Sequence, residues 1–149
     1  MAITIAPVLE DRRDDAIELA VLCFGEDYRN AAIKDFGAAY KEALYQPRTL
    51  GAWDGEKLIG LIQGMNALTY GNVECLAWLC VHPDYRGRDI AKTILKAAED
   101  RAIRDRFHDK PGSFILSADT GPAYYNALGY EGSLMHHGDV AYMIKIYRP

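Results

Sequence analysis

Nine nearly unbroken apolar residues, Val73 to Val81, stop at His82-Pro83, and Ile90, Ile94, Ala98 and Ala102 then recur at every fourth position. The first run is too short for a typical helix and reads as a buried central strand, with Glu74 its polar exception. The second predicts an amphipathic helix from Asp89 or Ile90 to about His108, with Asp100 set to pair with Arg104 and Lys110-Pro111-Gly112 ending it. A further apolar run, Phe114 to Ser117, reads as the next strand. Strand, helix and strand in this order predict a right-handed crossover between parallel strands.

The rest of the chain is read around that unit. Ile3, Ile5 and Val8 mark an opening strand ended near Pro7. Asp14 or Asp15 caps a helix with apolar positions Ile17, Val21 and Phe24, closed by Gly25. A second helix runs from about Arg29 to Tyr45, with Ile33, Phe36, Tyr40 and Leu44 on one face and Pro47 barring its continuation. Thr49 to Trp53 and Lys57 to Ala67 flank Asp54-Gly55 and predict a β-hairpin. Thr69-Tyr70-Gly71-Asn72 makes another turn, Ala123 to Leu128 a short helix stopped by Gly129, and Val140 to Tyr147 a last strand. The fold class is α/β, a mixed sheet with helices on both faces. With 149 residues, half of them hydrophobic, and no repeat or linker, the chain reads as a single domain over 1–149.

Composition excludes several functions. Lys and Arg number 17 against 21 Asp and Glu, a net charge of -4, which lacks the basic excess of a nucleic-acid binder. Met1 to Glu10 has too few apolar residues for a signal-peptide core and no stretch approaches a membrane span, so a cytoplasmic protein is expected, binding neither nucleic acid nor membrane. Cys23, Cys75 and Cys80 are odd in number, lie in apolar runs and lack Cys-x-x-Cys spacing. They read as buried thiols rather than a disulfide framework or zinc knuckle. His136-His137 has no partners at metal spacing and reads as an exposed loop pair; no metal is expected.

The segment Val81-His82-Pro83-Asp84-Tyr85-Arg86-Gly87-Arg88-Asp89-Ile90-Ala91-Lys92 carries the chemistry. A helix's first turn leaves N–H groups without helical acceptors and carries about half a positive charge, and Arg86, Arg88 and Lys92 add cations, which together make an anion site. An ordinary turn with solvent-facing arginines fits the same composition. The segment resembles the acyl-CoA signature of the GNAT superfamily of N-acyltransferases, Arg/Gln-x-x-Gly-x-Gly/Ala, commonly preceded by Val-x-Pro-x-Tyr. A second signature of that family, an aromatic-Tyr-x-x-Leu-Gly-aromatic run, is matched by Tyr124-Tyr125-Asn126-Ala127-Leu128-Gly129-Tyr130. The element order is similar from end to end.

The resemblance implies a sheet of about six or seven strands with about four helices, whose Val73 and Phe114 strands splay apart to admit acetyl-CoA. Backbone groups of Leu79, Cys80 and Val81 would pair with the pantetheine arm, and Arg86, Gly87, Arg88, Asp89, Ile90, Ala91 and Lys92 would hold the pyrophosphate. Tyr125 would protonate the departing thiolate. A phenol of pKa about 10 giving a proton to a thiolate whose acid is near 8.5 is uphill by only roughly 2 kcal/mol. Glu74 is the candidate base for an amine acceptor, read as a small molecule attacking directly in a ternary complex; a solvent-facing strand-end carboxylate is its other reading. Asp89 stands where the family usually has Gly, so it either turns outward to cap the helix or weakens the cofactor site. His82 occupies a tolerant position of the signature. Asp119 is a candidate contact to pantetheine or amine, or an Asx-type turn residue. Phe24, Tyr28, Tyr45, Tyr70 and Trp78 are candidate acceptor walls, packing being the alternative for each. A homodimer through the last strand is a further expectation of the family. A non-catalytic module that senses CoA, or has lost it, is the alternative function.

Overall fold

Strand pairing sets the architecture. In the computed structural model, which describes residues 2–38, 48–66, 72–118, 122–132, 136–137 and 140–149, seven strands form one sheet. They are β1 (Ile3–Pro7), β2 (Arg48–Asp54), β3 (Lys57–Asn66), β4 (Val73–Val81), β5 (Gly112–Ala118), β6 (His136–His137) and β7 (Val140–Tyr147), in the order β1-β2-β3-β4-β5-β7-β6. The helices among the described residues are α1 (Arg13–Phe24), α2 (Arg29–Ala38), α3 (Ile90–Asp105) and α4 (Pro122–Asn126). The expected mixed sheet is present. β4 and β5 run parallel across α3, as a helical crossover requires, while β1/β2, β2/β3, β5/β7 and β6/β7 are antiparallel. The chain divides into two compact units, Met1–Met65 with Trp78–Ala98 and Asn66–Ala77 with Glu99–Pro149.

In the first unit the hairpin forms as its Gly demands, with a one-residue correction. Asp54 pairs with Lys57 as the last rung, so the turn residues are Gly55 and Glu56, Gly55 taking φ +59°. α1 is capped differently from the expectation. Its N-cap is Arg12, without a side-chain cap bond, and Asp14 and Asp15 lie inside the first turn, where acids complement the helix dipole. Gly25 does close it, its N–H donating to the Val21 carbonyl at 2.8 Å. Ala16, Ile17, Leu19 and Ala20 form the buried face. On α2 the buried positions are Ala32 and Phe36, whereas Ile33 is exposed, because the inward face is set by Phe36 packing on Trp78 at 5.5 Å. Tyr40, Leu44, Tyr45 and Pro47, expected to complete that helix, lie outside the described residues. Gly60 of β3 lets α3 approach closely: a Cβ there would stand 2.7 Å from Ile94 Cδ1 and 3.3 Å from the Cys80 carbonyl oxygen.

The apolar stripe of α3 is as read: Ile90, Ile94, Ala98 and Ala102 are all buried. Its end is not. The helix stops at Asp105 instead of near His108, with Phe107 N–H reaching back to the Ala102 carbonyl and His108 and Asp109 at φ +50° and +60°. Phe107 explains this. Its ring packs on Phe114 with centroids 5.3 Å apart and fills the space that a Cβ on Gly112 would enter at 2.5 Å. Arg104 pairs with its neighbour Asp105 at 2.9 Å, and the charge of Asp100 acts on it as well.

In the second unit β5 extends to Gly112 and Ala118, longer than Phe114 to Ser117. α4 spans Pro122–Asn126 and passes into a turn in which Leu128 and Gly129 N–H groups bond the carbonyls of Tyr125 and Asn126. His136 and His137 are not a loop. They pair with Ala141 and Val140 as β6. Of the turn read at Thr69 to Asn72, residues 69–71 lie outside those described. Of the cysteines, Cys80 is buried and Cys23 and Cys75 are half-buried, which corrects the expectation of three buried thiols.

Candidate active site

The parallel β4–β5 register runs from Val73↔Ser113 to Leu76↔Leu116. Two residues further on, Trp78 takes φ +61°, a left-handed conformation rare for a bulky side chain. Side-chain alternation slips there: Leu76 is buried and Ala77 exposed, then Trp78 and Leu79 are both half-buried and Cys80 and Val81 both buried. Trp78 is held by its indole N–H, which donates to Asp35 Oδ2 at 2.9 Å, while Gln63 Nε2 donates to the Asp35 carbonyl at 3.2 Å. Phe24 and Tyr28 meet its ring edge-on at 5.6 and 6.3 Å. Three candidate acceptor-wall residues, Phe24, Tyr28 and Trp78, thus form one aromatic cluster with Phe36. Tyr45 and Tyr70 lie outside the described residues, as does Asp119.

β4 ends in a turn tied to the β2–β3 hairpin. His82 N–H donates to the Ile59 carbonyl at 2.7 Å, and its Nδ1 accepts from Asp84 N–H at 3.1 Å, capping a single 3-10 turn over Pro83–Tyr85. Tyr85 donates its hydroxyl to Asp54 Oδ2 at 2.6 Å, a bond that raises its pKa above the ordinary phenol value. Lys57 and Arg88 stand over its ring at 5.5 and 5.3 Å. Arg86 Nε donates to the Val81 carbonyl at 3.0 Å. Gly87 then turns at φ +79° and Asp89 at φ +58°. The Asp89 carbonyl accepts from Thr93 N–H at 3.1 Å and Thr93 Oγ1 at 2.9 Å, so Asp89 begins α3 through its backbone. Arg86, Gly87, Arg88, Asp89 and Lys92 are exposed, Ala91 is half-buried and Ile90 points into the core. The result is three cations and a helix start around open backbone, an arrangement suited to a polyanion.

The Val81 carbonyl also accepts from Cys23 Sγ at 3.5 Å. Cys23 packs against the cluster that holds Cys80, and Arg86 lies beside it. These two partners, Cys80 foremost, hold the Cys23 thiol down at about 7 against burial, while Cys80 is pushed up by Cys23 and by burial.

The other two candidates belong to the second unit. Glu74 is only 3% exposed, and its carboxylate pairs with Arg106 Nε at 3.2 Å. Half-buried Tyr125 meets the Tyr124 and Tyr130 rings edge-on at 5.4 and 6.2 Å. Its carbonyl accepts from the N–H groups of Leu128 and Tyr130, both at 3.0 Å. Tyr130 is fully buried, donates to Glu99 Oε2 at 2.7 Å, and lies under Lys145, whose Nζ reaches Glu99 at 3.0 Å. Burial first, then the charge of Glu99, raises the Tyr130 pKa. Sequence reasoning missed Asp54, Asp35, Cys23, Glu99 and Lys145 in these roles. The hairpin prediction alone held a signal for Asp54, since it placed a carboxylate at the tip of the strand pair.

Among the described residues no group of three or more His, Cys, Asp or Glu is placed to hold a metal, and no helix is long and apolar enough to cross a membrane.

The family model described as acetyltransferase (GNAT) domain matches residues 46–132, which include the β2–β3 hairpin, β4, the cationic turn, α3 and α4. The chain belongs to the GNAT acetyltransferase family. Solved structures of GNAT enzymes share its fold. One from Staphylococcus aureus has a TM-score of 0.78 at 13% identity, covering 97% of this chain and 99% of that one. The ribosomal-protein-S18-alanine N-acetyltransferase from Escherichia coli has a TM-score of 0.77 at 14% identity, with 99% and 96% covered. PaiA N-acetyltransferase from Thermoplasma acidophilum, solved in complex with coenzyme A, has a TM-score of 0.73 at 21% identity, with 99% and 100% covered. No curated relative matches the chain in sequence.

Proposed function

We propose that this GNAT chain is one catalytic domain over residues 1–149 that transfers an acetyl group from acetyl-CoA to a primary amine, read as a small molecule, by direct attack in a ternary complex. The observation that carries the reading is the turn from Arg86 to Lys92. Its backbone turns left-handed at Gly87 and Asp89, and a Cβ on Gly87 would meet nothing within 4 Å, so a diphosphate fits against open backbone flanked by Arg86, Arg88 and Lys92. Leu79, Cys80 and Val81 would align the pantetheine arm, with the Val81 carbonyl already engaged by Arg86 and Cys23. Acetyl-CoA would supply the activated thioester.

The chain's own groups then have proton work to do. An alkyl amine of pKa about 10.4 is neutral in only about one part in a thousand near pH 7.4, so a proton must leave its nitrogen before attack. Tyr125 Oη would deliver a proton to the departing sulfur, and Tyr130 and Leu128 hold the Tyr125 backbone through its carbonyl. Glu74 serves as base only by loosening its pair with Arg106, through a water relay. Tyr125→Phe should lower kcat by about a hundredfold, the range of positioned acid catalysis, with CoA affinity unchanged. Equal loss of binding and turnover would assign Tyr125 to packing. Glu74→Gln that leaves the pH–rate profile and turnover unchanged would remove Glu74 from the mechanism.

A further inference from the structure

We propose that Cys23 and Cys80 are a paired oxidation site, closing to an intramolecular disulfide when the chain meets a hydroperoxide. The two thiols come from distant parts of the sequence, α1 and β4, yet pack in one cluster, close enough that each shifts the other's titration. Cys23 Sγ also donates to the carbonyl of Val81, the residue after Cys80, which fixes it beside that strand. Arg86, bonded to the same carbonyl, places a guanidinium next to the sulfur. A half-buried thiol whose thiolate is favoured first by a neighbouring thiol and then by a cation has both parts that reversible oxidation needs. Cys75, also half-buried, has its pKa raised by burial and by Glu74.

The chemistry balances with the hydroperoxide as two-electron oxidant. The Cys23 sulfur attacks the distal peroxide oxygen, the O–O bond breaks, and the alcohol leaves with the thiol proton. The Cys80 sulfur then displaces hydroxide from the Cys23 sulfenic acid, the S–O bond breaks as S–S forms, and water leaves with the Cys80 proton. Two thiols are oxidised to one disulfide and the hydroperoxide is reduced to alcohol and water. The modification stands independently of the acetyl-transfer reading, because its test needs no coenzyme.

The test treats the full chain with hydrogen peroxide and maps its thiols by non-reducing digestion and mass spectrometry. The expected product is a Cys23–Cys80 linked peptide that dithiothreitol reverses, with Cys75 still open to alkylation. Cys80→Ser should halt the reaction at a Cys23 sulfenic acid that dimedone traps, and Arg86→Ala should slow Cys23 alkylation at pH 7 several-fold without altering Cys75. Oxidation of Cys23 to the sulfinic acid without the linked peptide, or all three thiols alkylating fully after peroxide, would overturn the proposal.

Discussion

Asp89 shows how one residue can depart from a pattern and still fit its backbone. The position turns left-handed at φ +58°, where glycine is usual, and Asp is among the few other residues whose short polar side chain tolerates that region. Its carbonyl still starts α3. A bound diphosphate would carry the cost, since a carboxylate about 4 Å from a phosphate charge would oppose it by about 1 kcal/mol at solvent dielectric. Asp89→Gly should therefore tighten CoA binding by about five- to tenfold in calorimetry. Its thermal midpoint should hold, because relief of the left-handed strain offsets the added freedom of the unfolded chain. The departure was legible in the sequence; the φ angle that reconciles it was not. Cys23 and Cys80 carried no signal at all, since only tertiary packing joins positions so far apart. Tyr130 sets a pH limit at the same scale. Its folded pKa lies above the ordinary 10.0, so above pH about 10 the unfolded chain loses a proton that the folded chain keeps. The unfolded state then binds fewer protons and stability falls as pH rises. Chemical denaturation at pH 9 and 11 should show this loss in the parent and a smaller one in Tyr130→Phe.

At the scale of elements, periodicity found what local physics decides and missed what packing decides. The stripe on α3 and the hairpin are legible because burial repeats with the helical or strand period. The end of α3 is not, because Phe107 leaves the helix to pack under Gly112 and onto Phe114. The shift from Ile33 to Ala32 on α2 has the same origin, an aromatic ring against Phe36. β6 was read as loop because a two-residue strand has no period of its own. The second unit also depends on a polar link that no pattern announces, Glu99 of α3 held by Tyr130 and by Lys145 of β7. Lys145→Met leaves the Glu99 carboxylate, 7% exposed, without its cation and should cost about 2 kcal/mol in urea denaturation. Adding Glu99→Gln should recover part of that loss. Additive losses in the double variant would mean that the pair is not coupled.

For the whole molecule, the order of elements, the parallel β4–β5 pair and two short signatures sufficed to place the chain among GNAT proteins, and the family match and shared fold agree. The acceptor was not legible. Its candidate walls, Phe24, Tyr28 and Trp78, meet ring to ring, an arrangement that depends on the left-handed backbone at Trp78 and its bond to Asp35, neither of which has a sequence pattern. Function at this scale rests on the cationic turn after β4 receiving a coenzyme. Titration of acetyl-CoA into the purified chain at moderate salt, beside Arg86→Ala, tests it most directly. The account predicts a micromolar Kd, about -8 kcal/mol, weakened at least tenfold by the substitution. No binding by the parent, or equal binding by both proteins, would contradict it.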